Sequence, residues 1–334
     1  YDIASCLVGS EMCIRDSFRT RTAAIRSFRS AGRCLITIRI TMLDILITGA
    51  GGQLGREMQR LSAVSPNHYV ATDLPELDIT DRDAVLRAVG RSGAQVIVNC
   101  AAYTDVERAE EDAAAADLIN HRAAAYLAEA ALETDATLIH VSTDYVFDGR
   151  SCVPYTEEAA PAPQSVYGRT KRAGEEAVIA SGCKYLIFRT AWLYSAWGRN
   201  FLKTMLRLTA ERETLRVVCD QVGTPTYAGD LALGIFSIIE SGLYKGSEGI
   251  YHFTDEGVCS WYDFAVEIAA AAGHTRCRIE PCRTEEYPTR AVRPAYSVLD
   301  RSKLKHTFGI EIPHWRESML YCLRQISQTE PELL

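Results

Sequence analysis

The chain is 334 residues long and 47% hydrophobic, enough to bury a large core in one big domain or two unequal ones. Its 36 Lys and Arg against 43 Asp and Glu leave a formal charge of -7, so there is no basic excess to neutralise nucleic-acid phosphates. No apolar run reaches the roughly eighteen residues needed to span a membrane. Eleven cysteines are scattered, with Cys277 and Cys282 the one close pair outside the N-terminal stretch. That pattern points to reduced thiols in a cytoplasmic protein, not to a disulfide framework or a zinc site.

Residues 1–41 differ from the rest. Arg15, Arg19, Arg21, Arg26, Arg29, Arg33 and Arg39 stand among Ser and Thr with few acids, as in a transit peptide. Cys6 to Ser17, however, looks like translated sequencing-adapter read-through. Residues 1–41 are therefore expected to be a non-native or disordered leader, with the native start at Met42.

From Leu43 a short apolar run leads into Gly49, Gly51, Gly52 and Gly55 and then a helical stretch: strand, tight turn, helix. Glycines at 49, 52 and 55 let the backbone turn sharply, approach a pyrophosphate and pack helix on strand. The anion would sit at the helix N-terminus, beside Gln53 and Leu54; a tight turn alone is the plainer alternative. A second strand, Tyr69 to Asp73, ends in an acid placed to accept hydrogen bonds from a ribose diol, which favours NAD over NADP. Asp78 could reach the adenine, while Thr80 or Asp81 caps a helix beginning near Arg82. The third strand, Ala94 to Cys100, runs into Ala101, Ala102 and Tyr103, where small residues let a cofactor lie against the chain. An alanine-rich helix from Ala113 to Leu132 carries Asn120, either a buried polar lock or a surface residue. A buried strand from Ala136 to Phe147 then brings the hydroxyls of Ser142 and Thr143 to the carboxyl edge of a parallel sheet, where ligands gather.

Tyr167 and Lys171 are four residues apart, so on a helix both project from one face. A phenol ordinarily loses its proton only near pH 10, and a neighbouring ammonium stabilises its anion. Such a pair suits proton delivery to an alkoxide formed by hydride attack on a ketone. By itself the spacing also arises by chance on exposed helices.

A strand hydroxyl, a Tyr and a Lys in one βαβ array form the triad of the extended short-chain dehydrogenase/reductase superfamily, which this chain resembles. The segments Thr48 to Gly55, Asn99 to Glu107, Val141 to Gly149, Tyr167 to Lys171 and Arg189 to Tyr194 resemble the dTDP-4-dehydrorhamnose reductase family within it. The likeness runs from Met42 to about Leu323. It implies an α/β fold: a Rossmann-type doubly wound parallel sheet with a smaller α/β substrate-binding domain. The expected boundaries are 42–190 for the dinucleotide domain, with a returning segment near 223–256, and 191–330 mainly for the substrate. The implied reaction is reduction, by NADPH or NADH, of the C4 ketone of dTDP-4-dehydro-L-rhamnose. Thr143, Tyr167 and Lys171 would be catalytic, and Ser142, Asp144, Trp192, Asn200 and Arg293 would meet the nucleotide sugar. Trp192 could equally be a packed core aromatic, and Arg293 an ordinary surface residue.

Other readings share these residues: a nucleotide-sugar epimerase, another 4-ketosugar reductase, or a non-catalytic dinucleotide-binding regulatory subunit. A small-molecule partner is expected, without nucleic acid or membrane, and a homodimer stays open. Some relatives place Mg²⁺ between acidic side chains at a dimer contact; no cluster in this sequence demands a metal.

Overall fold

The first strand, β1 (Asp44–Thr48), is apolar on both faces, since Ile45 and Ile47 are buried in one core and Leu46 in the other. A strand of that kind belongs inside a parallel sheet covered on both sides. The computed structural model describes residues 42–333, and the expectation for residues 1–41 lies outside the described residues. After β1 come α1 (Gln53–Ser62), β2 (His68–Thr72), α2 (Arg82–Ser92) and β3 (Val96–Asn99). Asp81 caps α2, accepting from the Ala84 N–H at 2.9 Å, and Gly93 ends it with φ +61. Next are α3 (Val106–Glu111), α4 (Ala113–Asp117), α5 (Ala123–Glu133), β4 (Thr137–Thr143), α6 (Val166–Ala180) and β5 (Lys184–Thr190).

Two of these elements differ from their expected form. The alanine-rich helix is not continuous: a π-helical turn, Leu118–Arg122, separates α4 from α5. The wide turn carries Asn120 inward, and such bulges often mark functional positions. The strand expected to reach Phe147 stops at Thr143. There the Thr143 hydroxyl accepts the Tyr145 N–H at 3.2 Å and starts a 3-10 turn, Asp144–Val146.

The second half contributes β6 (Leu193–Tyr194), α7 (Phe201–Glu211), β7 (Thr214–Val218), β8 (Val222–Gly223), β9 (Thr226–Tyr227), α8 (Ala228–Glu240), β10 (Gly249–His252), β11 (Cys259–Ser260), α9 (Trp261–Ala271), β12 (Arg278–Cys282), α10 (Ser302–Phe308) and α11 (Trp315–Thr329). The large sheet has the order β10-β5-β4-β3-β1-β2 and is parallel throughout. The chain thus returns to it through β10. On one face, Ile45, Ile47, Val98, Leu186 and Phe188 pack against α1 and α8. On the other, Leu46, Ile97, Leu138 and Ile187 pack against α2, α5 and α6. A third core joins Leu202, Leu206, Phe264, Ile268, Trp315 and Met319 from α7, α9 and α11.

The chain runs from β1 out to β2, then crosses back to β3 on the other side of β1. The crevice at the carboxyl ends of β1 and β3 is where ligands bind in such sheets. Among the described residues, no helix is long and apolar enough to cross a membrane.

Candidate active site

The loop after β1 is shaped by what it lacks. Gly49 has φ +67, and a Cβ there would stand 2.5 Å from the Ala101 backbone nitrogen at the end of β3. A Cβ on Gly55 would stand 2.4 Å from the Gly49 carbonyl oxygen, so α1 closes directly onto the loop. Gly52 is the N-cap of α1 and offers no side-chain cap. The first N–H groups of the helix are therefore left without a side-chain cap, as an anion site requires. This cradle fits a dinucleotide pyrophosphate.

Asp73 follows β2 and is fixed beside the loop. Its Oδ2 accepts the Gly51 N–H at 2.7 Å and its Oδ1 the Leu74 N–H at 2.8 Å. Asp78 is turned into its own loop, where Oδ1 accepts both the Thr80 N–H at 2.8 Å and the Thr80 hydroxyl at 2.7 Å. Leu54 is a core side chain packed in the sheet, so its backbone alone remains for a cofactor. Gln53 accepts the Asn200 amide at 3.0 Å. Ala101 and Ala102 are half-buried after β3. Tyr103 is clamped through its backbone by the Asn120 side chain, at 2.9 and 3.1 Å.

On the far side of the crevice, Ser165 caps α6 through the Gly168 N–H at 3.1 Å, and the Glu110 carboxylate accepts the Val166 N–H at 2.7 Å. The cap fixes where Tyr167 enters. Its phenol meets the Thr143 hydroxyl at the end of β4, so the two groups share one side of the sheet. One turn later Lys171 is 2% exposed and donates from Nζ to the Val141 carbonyl at 2.6 Å. Burial pushes the Lys171 ammonium down to about 8, with Glu175 opposing the shift. Burial likewise pushes the Tyr167 phenol up to about 12, partly offset by the Thr143 hydroxyl. The protein by itself therefore does not acidify the phenol.

Ser142 and Asp144 are buried on either side of Thr143. The Thr143 hydroxyl donates to Asp144 Oδ1 at 2.9 Å. Burial pushes the Asp144 carboxyl up to about 6, held back by the hydroxyls of Ser297 and Thr143. Trp192 sits at φ +48, a left-handed conformation unusual for a bulky residue, and its ring stacks on Trp261 at 3.5 Å. A Cβ on Gly223 would enter that ring at 2.6 Å, so the indole has a built seat. Asn200 is held in place by the fold. It caps α7 through the Lys203 N–H at 3.0 Å and donates to Gln53 and to the Ser195 carbonyl. Arg293 donates to Glu107 at 2.8 Å and lies against the Tyr145 hydroxyl. Tyr145 in turn packs edge-on against Tyr167, with ring centroids 5.4 Å apart. Among the described residues, no group of three or more His, Cys, Asp or Glu could hold a metal ion.

The family described as RmlD substrate binding domain matches residues 43–328. The chain belongs to this family. A relative, the dTDP-4-dehydrorhamnose reductase of Aggregatibacter actinomycetemcomitans, is 42% identical over 286 residues, covering 83% of this chain and 97% of that protein. The crystal structure of a dTDP-4-dehydrorhamnose reductase from Clostridium acetobutylicum is 44% identical with a TM-score of 0.81, over 85% of this chain and 99% of that one. That of the Bacillus anthracis reductase, in complex with NADP, is 38% identical with a TM-score of 0.81, over 85% and 100%.

Within this RmlD-family chain, reasoning from sequence alone misses a charged network behind the Tyr and Lys. Glu175, fully buried on α6, receives two bonds from Arg189 on β5, Nε to Oε1 and Nη2 to Oε2, both 2.8 Å. Arg172 adds a third at 2.9 Å. Burial pushes the Glu175 carboxyl up, but Arg189, Ser142 and Arg172 outweigh it and hold it below the usual range. The available signals were an acid four residues after Lys171 and an arginine closing an apolar strand. Asn120 proves to be the buried lock: its amide also donates to Thr170 at 3.2 Å, and a Cβ on Gly174 would strike its carbonyl at 2.2 Å.

Proposed function

We propose that this chain reduces the C4 ketone of dTDP-4-dehydro-L-rhamnose to dTDP-L-rhamnose, with a nicotinamide dinucleotide as reductant, in nucleotide-sugar biosynthesis. The observation that carries the reading is the meeting of the Tyr167 and Thr143 hydroxyls, with Lys171 buried one turn behind, at the sheet edge where the glycine cradle opens. The bound dinucleotide supplies hydride.

Tyr167 is the proton donor. A phenol that keeps its proton to about pH 12 is fully loaded at neutral pH and yields only to a base as strong as the forming alkoxide. Lys171 stabilises the phenolate left behind. Thr143 holds the ketone oxygen. Residues 42–190, with the return through 223–256, hold the dinucleotide, and the region 191–330 supplies Trp192 and Arg293 for the sugar and its diphosphate. Asp73 tilts the cradle toward NADH, because its carboxylate repels a 2′-phosphate. All eight cysteines among the described residues are free, which suits a reducing cytoplasm.

The test is cofactor oxidation on a panel of dTDP- and UDP-4-ketosugars; net oxidation separates a reductase from an epimerase. Tyr167→Phe should lower turnover by roughly 10²-fold or more with cofactor affinity nearly intact. Equal turnover in the two proteins would end the proposal.

A further inference from the structure

A threonine hydroxyl has one proton to donate and two lone pairs to receive with. Thr143 donates that proton to Asp144 Oδ1 at 2.9 Å and receives the Tyr145 N–H at 3.2 Å. One lone pair remains, on the side where the Tyr167 phenol lies. With Asp144 ionised, then, Thr143 has only an acceptor left for its open side. A ketone oxygen is acceptor-only, so this arrangement offers the substrate nothing from Thr143. A proton on Asp144 reverses it. The neutral carboxyl becomes a donor to the Thr143 oxygen or to Ser297, and the Thr143 proton is released toward the crevice.

Resting on the reductase reading above, we infer that Asp144 is a positioning residue that sets the direction of the Thr143 hydroxyl, and that the enzyme works with this carboxyl protonated. Asp144 keeps its proton through the cycle; the proton delivered to the C4 oxygen is that of Tyr167. The surroundings favour the neutral form. Asp144 is 2% exposed, and the groups facing it are the Thr143 hydroxyl from β4, the Tyr145 ring in its own turn, the Tyr167 phenol from α6 and the Ser297 hydroxyl from the segment after Arg293. The cations of the pocket are engaged elsewhere: Arg293 with Glu107 and Tyr145, Lys171 with the Val141 carbonyl. Burial at this position raises the carboxyl to about 6 before any ligand excludes further water.

The experiment is the pH profile of kcat and kcat/KM for wild type, Asp144→Asn, Thr143→Val and the double variant, on a dTDP-4-ketosugar the wild type reduces. Asparagine keeps the size of the side chain, cannot ionise, and has an amide able to donate to the Thr143 oxygen at every pH. Wild-type kcat/KM should fall as the pH rises above about 6, in addition to a limb near 8 that belongs to Lys171. Asp144→Asn should lack the lower limb, so its kcat/KM relative to wild type rises by more than about tenfold between roughly pH 5.5 and roughly pH 8. In the Thr143→Val background the same change should leave the profile unaltered. A lower limb that survives in Asp144→Asn, or an Asp144→Asn effect equal with and without Thr143, overturns the inference. Should Asp144→Asn fail to fold, Thr143→Val decides: loss of the lower limb supports the role, and its retention overturns it. If the wild type oxidises no cofactor with any ketosugar, the reductase reading itself falls, an outcome distinct from a working reductase whose profile ignores Asp144.

Discussion

The two walls of the crevice are built from different materials. The wall between β1 and α1 is backbone: glycines without side chains, uncapped N–H groups, and one acid, Asp73, held by two main-chain donors. The wall between β4 and α6 is side chain: Thr143 lies against Tyr167, Asn120 bonds Thr170, Lys171 bonds the Val141 carbonyl and Glu175 pairs with Arg189, all buried or half-buried. A backbone wall is damaged by adding an atom, a side-chain wall by exchanging one. Substitutions that act on one wall alone sharpen the contrast.

The largest effect should come from Glu175→Gln. It leaves Arg189, 1% exposed, without a balancing charge, and breaking a buried pair from one side costs about 3–5 kcal/mol. Replacing both partners, Glu175→Leu with Arg189→Met, should cost less than the single change, because no orphaned ion remains. The pair also sets an acid-side stability limit. The Glu175 carboxyl lies below its usual value of 4.5 in the folded protein, so its contribution is complete above that pH and is lost as the pH falls through the folded value. Denaturant melts of wild type and Glu175→Gln at neutral and acid pH check both points. A difference between them that stays constant on acidification would show the pair is not what limits acid stability.

This contrast also explains what could be read before folding. The backbone wall announces itself in one dimension, since glycines at 49, 52 and 55 after an apolar strand are a local pattern with a local cause. Tyr167 and Lys171 were legible for the same reason, being one helical turn apart. Glu175 and Arg189 meet only because β5 lies beside β4 under α6, and no spacing within either segment records that. Asn120 was undecidable in sequence because an unbroken helix would aim it differently from the π-turn that the chain adopts. Asp78 and Asn200 are polar residues at element ends, where a ligand contact and a turn or cap bond draw on the same residue types, and the turn and cap bonds are what the fold adds.

Glycine substitutions should give the next largest effects, and with opposite signs. Gly55→Ala puts a methyl within 2.4 Å of the Gly49 carbonyl and 2.6 Å of the Ala50 Cα, both backbone, so the loop must shift. Such overpacking costs about 1–3 kcal/mol, and cofactor affinity should fall with it. Gly90→Ala, on the exposed face of α2 with nothing within 4 Å, should instead stabilise by about 0.5–1 kcal/mol. Thermal melts with and without dinucleotide give both signs. Equal effects at the two positions would mean that the close approach at Gly55 is not what requires glycine.

The smallest effect should be that of Asp73→Asn, the acid of the backbone wall, where the Arg56 Nε also donates to the Gly51 carbonyl at 3.0 Å. Its two oxygens accept from Gly51 and Leu74, so the change weakens loop anchoring as well as charge, and binding of either cofactor alone cannot separate the two. The ratio of the two cofactors does, because anchoring is common to both while a 2′-phosphate belongs to one. The preference for NADH over NADPH in kcat/KM should drop by about tenfold, or about 1.4 kcal/mol. Asp73 sits at the sheet edge, where salt screens charges over about 8 Å at physiological ionic strength. The wild-type preference should therefore shrink as salt is raised, and that of Asp73→Asn should change less, since of the two charges at Gly51 only Arg56 is left. A salt-independent preference in the wild type would assign discrimination to shape, and make the backbone wall selective without any side chain at all.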